Sequence, residues 1–116
     1  MLPDDRERKR KAQVRQMAEK TRNQDTDFLF RGILELKTLE ECYTFFDDLC
    51  TISETFEMSK RLKAAKMLRE GKGYAEVGRE TGLSTATISR VNRCLKYGND
   101  GYALILDRVK ESEDEK

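Results

Sequence analysis

Seven side chains between positions 85 and 96 could read a nucleic acid: Thr85, Ala86, Thr87, Ser89, Arg90, Arg93 and Lys96. Threonine and serine hydroxyls bond to base edges or phosphates, small apolar groups meet a thymine methyl, and arginine and lysine hold phosphates or, for arginine, a guanine. Such groups act together only if one helix presents them to a major groove. Lys72 and Tyr74, just upstream, are placed to touch the backbone of the same duplex.

The stretch from Tyr74 to Lys96 supplies the elements that could position them. Ala75, Val77 and Val91 are small or branched apolar residues with helical spacing. Gly82 falls where a left-handed backbone allows a sharp turn. Ser84 follows as an N-cap, because its hydroxyl can accept from a free amide of the next turn. Ile88, Val91 and Leu95 then fall at i, i+3 and i+7, which makes one apolar stripe with the polar set on other faces. This is the sequence form of a helix-turn-helix over about 74–97.

The 116 residues suffice for one modest core, and the net charge of +1 says nothing by itself. Its distribution does. Residues 1–24 carry +4, 25–58 carry −7, 59–97 carry +7 and 98–116 carry −3. The basic block coincides with the helix-turn-helix and the helix before it, so a phosphate backbone is attracted there and repelled by the acidic block. There is no histidine, which removes histidine-based catalysis and most transition-metal sites. Cys42, Cys50 and Cys94 lack CxxC spacing and fit reduced thiols. Asp47-Asp48 and Glu40-Glu41 are neighbours whose carboxylates diverge on a helix. We therefore expect no catalytic residues and no metal site. No apolar run long enough to span a membrane and no apolar leader are present, so a cytoplasmic location is expected.

Along the chain, 1–24 reads as a flexible basic arm, 25–111 as one helical domain and 112–116 as a frayed acidic tail. Phe28, Leu29, Ile33, Leu34 and Leu36 outline a first helix. Thr38 with Glu41, and Thr51 with Glu54, are spaced as capping boxes that open a second helix at about 39–49 and a third carrying Ile52, Phe56 and Met58. A separate helix is expected from Ser59 to Arg69, ended by Gly71 and Gly73. Gly98 is expected as the glycine after the recognition helix, and Asn99 or Asp100 as the cap of a last helix. The fold class is all-α, with six helices or so. Phe28, Phe30, Tyr43, Phe45 and Phe46 exceed what one small core can cover, which points to a homodimer interface.

The segments ECYTFFDDLCTISE (41–54), RLKAAKMLREGKGYAEVGRETGLSTATISRVNRCLKYG (61–98) and GYALIL (101–106) carry a resemblance. The chain resembles the Trp repressor family, above all its small YerC/YecD-type relatives, over about 25–110. The run LSTATISR at 83–90, matching the start of that family's recognition helix, is the most specific part. The resemblance implies an all-helical, intertwined homodimer with laterally projecting helix-turn-helix units. It also implies a small-molecule corepressor between core and recognition helix, tryptophan in the family. The stacking arginine matches Arg90, its partner falls at Lys60 or Arg61, and a pocket serine is replaced by Cys94. Arg90 could equally hold a phosphate.

Two functions of different class follow. One is a sequence-specific, dimeric regulator, most simply a repressor, bound to double-stranded DNA. The other is a helical interaction module that binds protein, or nucleic acid without sequence preference, since a fold does not fix a function. Competition with excess DNA separates them.

Overall fold

The computed structural model describes residues 5–9 and 19–114. All regular structure among them is helical. Six helices run in order: α1 (Gln24–Leu34), α2 (Leu39–Leu49), α3 (Ile52–Arg69), α4 (Tyr74–Thr81), α5 (Thr85–Tyr97) and α6 (Gly101–Asp114). Residues 5–9 are helical as well; the remainder of the expected basic arm, apart from the segment after residue 18, lies outside the described residues.

Local chemistry sets the helix ends. Asn23 caps α1 through its side-chain oxygen, which accepts from the Thr26 N–H at 2.8 Å. The helix stops at Leu34, so Leu36 lies beyond it. At α2, Thr38 accepts from the Glu41 N–H. The Glu41 carboxylate accepts from the Lys37 N–H, one residue before the position a full box requires, so this cap is half of the expected one. At α3 both halves form: the Glu54 N–H donates to Thr51 Oγ1 at 3.1 Å, and the Thr51 N–H donates to Glu54 Oε1 at 2.9 Å.

The expected break at Ser59 does not occur. The helices foreseen at 51–58 and 59–69 are one continuous α3 of 18 residues. Ser59 does not cap; its hydroxyl donates to the Phe56 carbonyl at 2.7 Å within the helix. At the far end Gly71, at φ 91°, closes a Schellman turn: its N–H donates to the Leu68 carbonyl and that of Lys72 to the Met67 carbonyl.

The core is Ala64, Ala65 and Met67 of α3, Val77 of α4, Leu83 of the turn, and Ile88 and Val91 of α5. Leu68, Leu95, Tyr102 and Leu106 pack around it. Thus α3 is the platform, α4 and α5 sit on it and on each other, and α6 closes against α3 and α5. Arg69 and Asp107 pair at 2.6 Å between α3 and α6, and Lys63 and Glu80 at 4.0 Å between α3 and α4. Both pairs are exposed and worth at most about 1 kcal/mol. α6 reaches Asp114, further into the acidic tail than expected.

Candidate nucleic-acid interface

The turn between α4 and α5 is fixed by three residues. Gly82 is left-handed, with φ 73°. Thr81 is buried, and its hydroxyl donates to the Val77 carbonyl at 2.7 Å while accepting from the Leu83 N–H at 3.2 Å. One hydroxyl therefore ends α4 and holds the first residue beyond the turn. Ser84 accepts from the Thr87 N–H at 3.2 Å and caps α5. At the other end of α5, Gly98 directly follows the helix as expected; it is extended, and a side chain there would strike the Cys94 carbonyl. The positive φ falls on Asp100, at 63°, a residue type that tolerates it.

At about 100° per residue, α5 divides into three sectors. Ile88 and Val91 are buried and Leu95 is half-buried, so this stripe faces α3 and α4. The opposite sector carries Thr85, Ala86, Arg90, Arg93 and Lys96, all exposed, with Ser89 half-buried at its edge. Lys72 and Tyr74 lie exposed at the entry to α4. Among the described residues Lys72, Arg90, Arg93 and Lys96 form no ion pair, whereas Arg61, Lys63 and Arg69 of α3 each meet a carboxylate. Thr87 is not with this group: it sits on the far flank, half-buried, and its hydroxyl accepts from Ser84 at 3.1 Å.

One further residue enters the site. Asn92 lies on the flank of α5 toward α4, and its amide donates to the Tyr74 hydroxyl at 3.0 Å. The helical wheel shows Asn92 to be polar-faced, but no spacing rule links positions 74 and 92. Tyr102 of α6, in the sequence merely one more apolar position, is half-buried against the core. Burial pushes its phenol up, Cys94 adds to this, and the charges of Arg61 and Arg90 oppose it. The two α3 alternatives, Lys60 and Arg61, are both exposed on that helix. Cys42, Cys50 and Cys94 are free thiols. No helix among the described residues is long and apolar enough to cross a membrane.

The arrangement is matched elsewhere. Residues 24–110 fit the family model described as Trp repressor protein. A Bacillus subtilis relative, the uncharacterized protein YerC, is 61% identical over 97 residues, covering 84% of this chain and 93% of the relative. The crystal structure of a TrpR-like protein from Eubacterium eligens superposes with a TM-score of 0.76 at 51% identity, over 79% of this chain and 95% of that one. A Trp repressor candidate from Staphylococcus aureus superposes equally well at 54% identity, over 79% and 92%. A helix-turn-helix mounted on one long helix, matched over most of its length in sequence and in fold, places this chain in the Trp repressor family, among its YerC-type members.

Proposed function

We propose that the chain is a homodimeric, sequence-specific DNA-binding transcriptional regulator of the cytoplasm, acting as a repressor under the control of a small ligand. The solvent sector of α5 carries this reading. Thr85, Ala86 and Ser89 stand near its N-terminal end with base-reading chemistry, and Arg93 and Lys96 follow with charges unpaired among the described residues. Lys72 and Tyr74 flank the same surface at the start of α4. Family membership supports DNA binding and regulation rather than catalysis.

A second copy of the chain is the partner that the apolar faces of α1 and α2 call for. It would also supply a second recognition helix related by two-fold symmetry, suited to half-sites about one helical turn apart. A small ligand bearing an acid group would take Arg90 and either Lys60 or Arg61 as counter-charges, the positions that the family resemblance assigns to it together with Cys94.

Selection of bound sequences from random duplex DNA at physiological salt tests the reading. The expected result is a palindrome, sharpened or lost on adding amino acids. Retention that is weak, steeply salt-dependent and without enrichment would move the protein to the interaction-module reading. Arg93→Ala is expected to weaken binding to any duplex and to lower the salt slope by about one unit per contact removed; unchanged binding would mean that α5 docks in another orientation.

A further inference from the structure

The Tyr74–Asn92 hydrogen bond joins the first residue of α4 to the middle of α5. An amide nitrogen only donates, so the phenol oxygen accepts and its own O–H must point to another acceptor. That O–H forms no hydrogen bond to another of the described residues. Asn92 shares its side of α5 with Thr85, Ser89 and Lys96, at spacings of seven, three and four residues. The Tyr74 hydroxyl therefore lies at the margin of the solvent sector, on the side of α5 that carries Lys96.

We propose that Asn92 is a positioning residue for DNA binding: its amide donates to one lone pair of the Tyr74 hydroxyl and leaves the O–H donor turned outward to a backbone phosphate. The inference rests on the DNA-binding reading and adds to it a residue that itself touches no DNA. A neutral donor fixed in this way contributes a directed bond to a phosphate without a counterion, so it sets the register of α4 on the duplex rather than its overall attraction.

The test is a double-mutant cycle on the full-length protein with the selected operator, using Tyr74→Phe, Asn92→Ala and both together. Operator affinity and thermal stability are measured for each, with Arg93→Ala as control. Tyr74→Phe is expected to lower affinity by about tenfold, as befits one bond to a charged group, with an unchanged salt slope. Asn92→Ala should lower it nearly as much, and the double variant no further. Coupling seen only in thermal stability, or a Tyr74→Phe variant that binds as well as the parent, would overturn the proposal. In that case a weakened Arg93→Ala variant leaves the DNA reading standing. Failure of the parent protein to bind any duplex would sink the DNA reading itself, and this inference with it.

Discussion

Compare the helix pair α1–α2 with the pair α4–α5. The first two have 11 residues each and bury no side chain; the second two have 8 and 13 and bury Val77, Thr81, Ile88 and Val91. Local preference favours the first pair, whose ends are capped by Asn23 and Thr38, while α4 has no side-chain cap at all. An isolated helix of eight residues does not persist in water. It is packing on α3 that holds α4. In contrast, Phe28 and Leu34 stand 80% and 81% exposed. The lesson is that this chain contains two kinds of helix, one satisfied by its own chain and one whose apolar face its own chain leaves uncovered.

The deepest cut into the satisfied half is Ile88→Ala. Its side chain is 1% exposed, and the change should cost about 2–5 kcal/mol in urea denaturation, at every protein concentration. Phe28→Ala should behave differently. The residue is nearly free in one chain, so any loss of the order of 1.5–3 kcal/mol must come from a covering partner. The melting temperature of the parent should then rise with protein concentration, and that dependence should weaken in the variant. A concentration-independent melt for both would remove the contrast between the halves. Ser84→Ala, at the cap of α5, should cost about 1 kcal/mol and leave the association of chains untouched in sedimentation.

The smallest effect lies at the junction of the two halves. The Glu54 carboxyl is held below its ordinary range by the Thr51 N–H and, less strongly, the Thr51 hydroxyl. A folded-state value below the unfolded one means the cap stabilises above the unfolded pKa and loses this as pH falls through the folded one. The parent should therefore lose slightly more stability on acidification than Glu54→Gln, compared by melting at a series of acidic pH values.

What was legible in the sequence follows the range of the forces involved. The turn at Gly82, the Ser84 cap, the Thr51–Glu54 box and the Ile88–Val91–Leu95 stripe depend on neighbours within one or two turns, and each is found where spacing puts it. The break expected at Ser59 failed because a serine hydroxyl has two uses in a helix, and the back-bond to Phe56 suits the interior. Gly98 closes α5 where expected, but what requires a glycine there is crowding by the Cys94 carbonyl and not a left-handed backbone. For the site, the polar sector of α5 was readable by period, except that Thr87, expected in it, lies on the far flank bonded to Ser84. The Asn92–Tyr74 bond joins residues eighteen positions apart in the chain, and no local pattern encodes it.

The continuity of α3 makes it a ruler. Its 18 residues span about 27 Å, from the uncovered aromatic half to the Schellman turn before α4, with no hinge at Ser59. If a second copy grips its first half, the distance and phase between the two α5 helices are set by a rigid rod rather than a joint. Such a reader would tolerate base changes in the spacer between half-sites far better than a spacer one base pair longer.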